Sequence, residues 1–316
     1  MTARQVTAAA PSSGTEPGGV GLDQGVAPAP GCGSAAFGRS PERYSPLSPR
    51  VADLPSIFTG LHGVYFGTVR PVQQEDIWDT AAAQSYDTPG TGMFAPEVLT
   101  PTIARLTELA SGGRALEFAI GTGRVAVPLA QAGVPVTGIE LSSPMIEQLR
   151  TKVDEQTIPV ITGDMATTRA PGQFSLVFLV SNTISNLQTQ EEQVACFRNA
   201  ASHLTTGGRF VIELWVPELR ALPPGRRATV GRVETGYILV DTYDVLHQRV
   251  VSHHFTYGEG RQAEVFRTPH RYIWPAELDL MAQLAGFELE SRHEDWSGGQ
   301  FDADSASHVS VYRLIR

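Results

Sequence analysis

The sequence predicts an α/β protein: a doubly wound, mostly parallel sheet with an antiparallel last strand and an antiparallel β insert. Two observations lead to this fold class. From about residue 96 to residue 217, short apolar strands alternate with amphipathic helical segments, as in a parallel sheet covered on both faces. After Pro217 the pattern changes, because residues 229–272 are rich in β-branched and aromatic residues and contain no convincing helix.

The parallel part can be assigned element by element. Pro101 marks the expected start of a first long helix, whose apolar face ends before Gly112. Thr189 and Glu192 have the spacing of a capping box for a later helix that extends through Leu204, and Thr205–Gly208 then predict a turn. The predicted strands are Ala115–Ile120, Val134–Leu141, Val160–Ile161, Ser175–Val180 and Phe210–Val216.

The remaining elements follow the change of pattern. Residues 249–257 alternate with period two, which predicts one strand of an antiparallel insert of three or four strands. Pro275 predicts the start of a helix that Gly286 ends. The last two predicted strands are Phe287–Glu294 and His308–Leu314.

Composition excludes several functional classes. The chain has 316 residues, a formal net charge of −9 and 41% hydrophobic residues, as expected for a globular protein. Its acidic balance argues against a general nucleic-acid binder. The longest apolar run, Leu176–Val180, is far shorter than the ~18 residues of a membrane span. Cys32 and Cys196 cannot build a disulfide framework, and residues 1–11 lack the apolar core of a secretory signal, so a cytoplasmic location is expected.

The sequence divides into four segments. Residues 1–50 include 29 Ala, Gly, Pro or Ser, which predicts a disordered tail. Residues 51–95 are predicted to form an N-terminal lid or helical segment. The sheet domain comprises residues 96–217 and 275–316, and residues 218–274 form an antiparallel β cap between its two parts.

Three features lie at the ends of three consecutive predicted strands. The first is the segment Glu117-Phe-Ala-Ile-Gly-Thr-Gly123, a glycine turn between a buried strand and a helix, where a ligand can approach the backbone closely. The second is Glu140, nineteen residues after Gly121, and the third is the pair Asp164-Met165. In an open α/β sheet these strand ends share one crevice, which is where ligands bind.

This ordered set resembles the class I S-adenosylmethionine-dependent methyltransferases, which have a Rossmann-like fold, and in particular a bacterial small-molecule branch with a β cap. The resemblance implies that Glu140 binds the ribose and that Asp164 and Met165 bind the adenine. The family usually has a glycine where Ala119 stands. The implied cofactor-binding residues are Glu117, Ala119, Gly121, Thr122, Gly123, Glu140, Asp164, Met165 and Ser181. No metal is expected.

The sequence offers fewer candidates for catalytic residues than for cofactor-binding residues. Tyr86-Asp87 resembles a pair that closes over the cofactor in related enzymes. Asn186 stands where some sugar N-methyltransferases have an active-site histidine, and an amide cannot act as a base. A base could instead come from the cap, where His253 and His254 point to opposite faces of one strand, so that at most one faces the acceptor.

The resulting functional prediction is methyl transfer to oxygen or nitrogen of a small-molecule secondary metabolite, such as an antibiotic intermediate, by a monomer or homodimer without nucleic-acid or membrane partners. The same site could instead transfer the 3-amino-3-carboxypropyl group to a phenolic oxygen. An NAD(P)-dependent oxidoreductase is a further alternative, because Gly121-x-Gly123-x-x-Ala126 also fits a dinucleotide turn, although it leaves Asp164 without a role. A non-catalytic S-adenosylmethionine-binding regulator is the last alternative.

Overall fold

The computed structural model describes residues 77–258 and 263–315. The predicted tail 1–50 and residues 51–76 of the predicted lid segment therefore lie outside the described residues. The helices are α1 Thr80–Tyr86, α2 Pro96–Ala110, α3 Ala126–Gln131, α4 Ser143–Arg150, α5 Gln190–His203 and α6 Pro275–Leu284. The strands are β1 Ala115–Phe118, β2 Val136–Glu140, β3 Val160–Thr162, β4 Phe174–Leu179, β5 Leu204–Trp215, β6 Ala228–Glu234, β7 Tyr237–Asp244, β8 Arg249–Thr256, β9 Glu264–Arg271, β10 Phe287–His293 and β11 Ser307–Leu314.

The central sheet has seven strands in the order β10-β11-β5-β4-β1-β2-β3. Strands β1 to β5 pair in parallel, whereas β11 is antiparallel to both β5 and β10. The predicted fold class is confirmed, including the antiparallel last strand. Successive strands are added on one side of β1 up to β3 and on its other side from β4 onward, so the order of strands along the sheet reverses between β1 and β4. A ligand crevice is expected at the carboxyl ends of these two parallel strands.

Helices cover both faces of this sheet. On one face, α5 and α6 pack through Phe197 and Leu278 into a core that includes Phe210 and Tyr312. On the other face, α2, α3 and α4 bury Leu106, Leu129 and Leu149. The central strands β1, β2 and β4 are thus buried almost throughout, which explains their short, apolar sequences. No helix in the described part of the chain is long and apolar enough to cross a membrane.

Proline and capping residues explain where two of the helices begin, and one predicted start is wrong. The first long helix begins at Pro96, not at Pro101 as predicted. Proline fits the first helical position because no backbone N–H is needed there, whereas Pro101 lies inside the helix and supplies no donor. The capping box of α5 is confirmed: Glu192 N donates to Thr189 Oγ1 at 3.1 Å, and Thr189 N donates to Glu192 Oε2 at 2.9 Å.

A second correction concerns β5, which begins at Leu204 and not at Phe210. Its register with β4 shifts so that Phe174 pairs with Leu204 whereas Leu176 pairs with Arg209. The predicted turn Thr205–Gly208 therefore lies within the strand, as an irregular stretch with three more residues than the facing part of β4, and Gly207 supports it with φ +78°.

The cap is a four-stranded antiparallel sheet in the order β6-β7-β8-β9. Tyr243, Val250 and Tyr272 form its small core and pack against Trp215 at the end of β5. Where the cap returns to the sheet domain, the buried Arg271 forms an ion pair with Glu277 of α6, with Nη2 and Oε1 2.7 Å apart.

The same guanidinium donates to Gln193 Oε1 of α5 at 2.5 Å. This buried polar network ties the end of β9 to both helices on that face of the sheet, so the cap is attached at a fixed point.

Candidate functional site

A cavity opens at the carboxyl ends of β1 and β4, where the topology predicts a ligand site. Its walls come from the glycine turn after β1, from the loop after β4 and from the segment that precedes α2. The lining residues are Tyr86, Glu117, Ala119, Ile120, Gly121, Thr122, Arg124, Val180, Ser181 and Thr183. Six residues named from the sequence thus meet around one cavity: Tyr86, Glu117, Ala119, Gly121, Thr122 and Ser181.

The glycine turn adopts left-handed backbone conformations at alternate residues. Ala119, Gly121 and Gly123 have φ values of +51°, +57° and +82°. A Cβ on Gly123 would lie 2.3 Å from Leu149 Cδ1, and side chains rarely adopt its positive φ, so a substitution there displaces Leu149 and strains the backbone. Ala119 occupies a conformation that costs a non-glycine residue roughly 1–2 kcal/mol, which gives a physical reason for the glycine usual in the family.

Glu140 at the end of β2 fastens the glycine turn. Its Oε2 accepts the N–H of Gly121 at 2.7 Å, and its Oε1 accepts the N–H of Ser142 at 2.8 Å. Burial raises the pKa of this carboxyl, and the two backbone N–H donors partly offset that rise. Glu140 therefore lies beside the turn as predicted, and its binding of a ribose stays a prediction.

Glu117 contributes a buried carboxyl and Arg124 a guanidinium to the cavity wall. Glu117 is 3% exposed, and its Oε2 has no hydrogen-bond partner within the described residues. Burial raises the pKa of Glu117 to about 8, although the nearby Arg124 lowers it in part. Arg124 donates to Ser181 Oγ at 2.6 Å and to Met93 O at 3.1 Å.

A buried acceptor without a partner beside a guanidinium fits a ligand that carries both an ammonium and a carboxylate. Such a zwitterion is the amino acid part of S-adenosylmethionine. No sequence signal indicated a role for Arg124, although it directly follows the motif.

The loop after β4 is strained and firmly held. Ser181 and Asn182 have φ values of +53° and +63°, which are uncommon for non-glycine residues. Glu213 of β5 accepts the N–H of Ser181 at 2.7 Å and the indole N–H of Trp296 at 3.0 Å. Asn182 Oδ1 in turn accepts the N–H of Trp215 at 2.7 Å. Glu213 thus fixes the loop, a role that no sequence signal indicated.

The segment before α2 closes one side of the cavity. The ring of Tyr86 packs edge-on against Trp78 and Phe94, with centroids 5.8 and 6.1 Å apart. Asp87 accepts a hydrogen bond from Thr122 Oγ1 at 2.5 Å and forms an ion pair with Lys152. The predicted lid pair is therefore in contact with the glycine turn.

Asp164 and Met165 follow β3 and are not among the residues that line the cavity. Asp164 Oδ1 accepts the N–H of Ala166 at 2.7 Å, and the carbonyl of the buried Met165 accepts from Asn199 Nδ2 at 2.8 Å. These contacts fix the turn after β3. Recognition of adenine by this pair stays a prediction.

The catalytic candidates in the second half of the chain lie outside the cavity wall. Asn186 ends a short 3-10 helix, Thr183–Asn186, and its carbonyl accepts from Gln188 Nε2 at 3.0 Å. His253 and His254 lie on opposite faces of β8, and His253 Nε2 lies 3.0 Å from Thr242 Oγ1. Burial lowers the pKa of both histidines, that of His254 to about 4.

Both ring nitrogens of His254 have partners inside the cap. Its Nδ1 lies 2.8 Å from Tyr237 Oη, and its Nε2 lies 3.1 Å from Thr268 Oγ1. His270, on the same face of the cap, has a buried Nδ1 without a partner within the described residues. Burial lowers the pKa of His270 to about 4 as well.

Comparison with known proteins agrees with this geometry. Residues 115–208 match a family model described as a methyltransferase domain. The solved structure of the CcbJ methyltransferase from Streptomyces caelestis is 37% identical and superposes with a TM-score of 0.63, covering 68% of this chain and 89% of that one. The chain belongs to the S-adenosylmethionine-dependent methyltransferases. This membership favours methyl transfer over the hydride transfer that the glycine turn alone also allowed.

Two further comparisons extend the agreement along the chain. The cypemycin N-terminal methyltransferase of a Streptomyces species is 27% identical over 244 residues, which is 74% of this methyltransferase and 96% of the relative. A methyltransferase structure from Clostridium acetobutylicum has a TM-score of 0.58 at 13% identity, covers 68% of this chain and 92% of that one, and shows the shared fold alone. The co-substrate is S-adenosylmethionine, and no group of three or more potential metal ligands occurs in the described ranges.

Proposed function

We propose that this methyltransferase methylates a nitrogen or oxygen of a small-molecule secondary metabolite, such as an antibiotic intermediate, bound between the cap and the carboxyl edge of the sheet. The position of the cap is the observation that carries the proposal. The cap follows Trp215, the last residue of β5, so it begins at the edge where β1 and β4 form the cavity. Strand β9 also contacts the 3-10 helix Thr183–Asn186, and Thr183 lines the cavity.

The face of the cap that packs on Trp215 is partly polar, which supports an acceptor with hydrogen-bonding groups. Strand pairing places the polar residues on the same face as the small apolar core of the cap. These residues are Asp241, Ser252, His254, Thr268 and His270. The unpartnered Nδ1 of His270 offers an additional hydrogen-bonding position on this face.

Methyl transfer mainly requires the protein to position the acceptor atom next to the methyl group. S-adenosylmethionine supplies an electrophilic methyl group when it is bound. Glu117 and Arg124 would hold its amino acid part, and the rigid loop at Ser181 and Asn182 would limit where the acceptor can sit. Positioning of this kind can contribute roughly 7–11 kcal/mol to lowering the barrier. A neutral acceptor amine needs no base for the attack itself.

Nitrogen is the better supported reacting atom. The name of the cypemycin relative assigns methylation of an N-terminus to that protein. His270, with a pKa of about 4, stays neutral near pH 7, and its Nδ1, which has no partner within the described residues, can accept a hydrogen bond from an N–H or O–H group. The low pKa values of His254 and His270 argue against either histidine as a strong base.

The experiment is mass spectrometry of the full chain incubated with a Streptomyces metabolite extract and an equal mixture of S-adenosylmethionine and its methyl-deuterated form. We expect S-adenosylhomocysteine and a product that appears as a pair separated by the deuterium mass. Methylthioadenosine with a product carrying the four-carbon amino acid arm would instead establish the aminocarboxypropyl alternative. A Gly123→Val variant serves as the control, because its side chain has no room in the turn.

A further inference from the structure

Lys152 joins three parts of the cofactor site that are distant in sequence. Its ammonium donates to the carbonyl oxygen of Thr122 in the glycine turn at 2.7 Å and forms an ion pair with Asp87. Thr122 Oγ1 donates to the same carboxylate at 2.5 Å. Lys152 itself follows α4, so the glycine turn, the end of α4 and the segment before α2 meet at one ammonium.

The contact is partly shielded from solvent. The side chains of Lys152 and Asp87 are 30% and 26% exposed, and Thr122 is 1% exposed. Ion pairs of this kind are screened less than fully exposed ones. The ammonium has three donors, which lets it bond a carbonyl and a carboxylate together. Lys152 is the sole lysine among the 24 Lys and Arg residues of the chain, and the other 23 are arginines.

The peptide between Thr122 and Gly123 is held at both ends. Its carbonyl accepts from Lys152, and its N–H donates to Ile120 O at 3.0 Å. This peptide lies in the turn whose φ values at Gly121 and Gly123 are positive. Fixing it therefore favours the turn conformation that surrounds the cavity.

Asp87, the acidic partner of Lys152, lies next to a residue of the cavity wall. Asp87 directly follows Tyr86, whose side chain lines the cavity. If the Lys152 contact breaks, both the glycine turn and the Tyr86 wall lose an attachment. Both surfaces face the place where the cofactor binds.

We propose that Lys152 is a positioning residue for the cofactor site, and that its contact with Asp87 and Thr122 and the binding of cofactor stabilise each other. By thermodynamic linkage, a contact that increases cofactor affinity is itself strengthened by bound cofactor to the same degree. The inference concerns the cofactor site alone and does not depend on the identity of the acceptor.

The first test measures S-adenosylhomocysteine binding by calorimetry. Lys152→Met keeps the aliphatic stem and removes the ammonium, and Asp87→Asn removes the negative charge. We expect each to raise Kd about tenfold, and the double variant to raise it about tenfold as well, because both act through one contact. Additive losses, or Kd values within twofold of the parent, would overturn the proposal.

Arg150→Met is the matched control. Arg150 ends α4, pairs with Glu155 and donates to the carbonyls of Val153 and Ile158, which are not part of the glycine turn. We expect a change in Kd below twofold, although the variant can lower the melting temperature. If Arg150→Met weakens binding as much as Lys152→Met, the effect belongs to the stability of α4 and the proposed role is wrong.

The second test needs no variant. Because the chain has one lysine, acetylation by an N-hydroxysuccinimide ester followed by peptide mass spectrometry reports on Lys152, with the N-terminal amine as internal reference. Saturating S-adenosylhomocysteine is expected to slow acetylation of Lys152 severalfold and to leave the reference rate unchanged. Equal rates with and without S-adenosylhomocysteine would show that the contact and cofactor binding are not coupled.

Discussion

The buried Glu117 predicts that cofactor binding depends on pH. With a pKa of about 8, most of this carboxyl is protonated at pH 7 when the cavity holds no ligand. Pairing with an ammonium requires the ionised form, so binding must release a proton. The Kd for the ionised form is therefore multiplied by 1 + 10^(pKa − pH). Affinity for S-adenosylhomocysteine should therefore fall about fiftyfold from pH 8 to pH 6.

Calorimetry tests this prediction directly. Titrations in two buffers with different ionisation enthalpies give the number of protons released, which should approach one per S-adenosylhomocysteine at pH 6 and fall to about one half at pH 8. Glu117→Gln keeps the size of the side chain and removes its titration, so its Kd should change little over the same range. A flat profile in the parent protein, or an unchanged slope in the variant, would refute the assignment of Glu117 to the ammonium.

The same carboxyl also makes a prediction about stability. Its pKa is raised from 4.5 to about 8 on folding. Between these values the unfolded chain loses the proton and the folded protein keeps it, so stability present below pH 4.5 is lost as pH rises towards 8. The loss approaches about 5 kcal/mol, at about 1.4 kcal/mol for each pKa unit. Urea unfolding without ligand should therefore show Glu117→Gln to be more stable than the parent at pH 8, with a smaller difference at pH 5.

Three further changes have predictable effects on stability. Ala119→Gly should stabilise the protein by about 0.5–1 kcal/mol in urea unfolding, because relief of the left-handed strain exceeds the added chain entropy, and a loss of stability would contradict this. Thr189→Ala should cost about 1 kcal/mol through the lost helix cap, whereas Thr189→Ser should stay near the parent value. Burial lowers the pKa values of His254 and His308 to about 4 and about 3. The unfolded chain protonates these groups first, so the melting temperature should fall as pH drops from 6.5 to 4, and His254→Gln should reduce that fall.

Local patterns were sufficient to predict the fold. The alternation of short apolar strands with helices determines the parallel sheet, and the capping box at Thr189 and Glu192 fixes the start of α5. The glycine turn after β1 was recognisable because Gly121 and Gly123 adopt conformations that other residues avoid. These features depend on neighbours within a few positions, where sequence patterns are informative.

Long-range contacts were not predictable in the same way. Glu213 acts on Ser181, which lies 32 positions away, and Lys152 acts on Thr122, which lies 30 positions away. Neither pair has a local pattern that would indicate its partner. The wrong start of β5 has the same origin. Thr205–Gly208 have turn chemistry, but the pairing of Leu204 and Arg209 with β4 places them within a strand as an irregular stretch.

The unfavourable features of this protein are concentrated around one cavity. Ala119, Ser181 and Asn182 have left-handed backbone conformations, and the buried Glu117 has an oxygen without a partner in the described part of the chain. Strain of this kind persists only where surrounding contacts fix it, and Glu213 supplies such contacts here. The shape of the site is therefore fixed in part by contacts within the protein itself. Relief of backbone strain at Ala119 and removal of the charge at Glu117 should both stabilise the free protein, yet only the change at Glu117 should remove a partner of the cofactor.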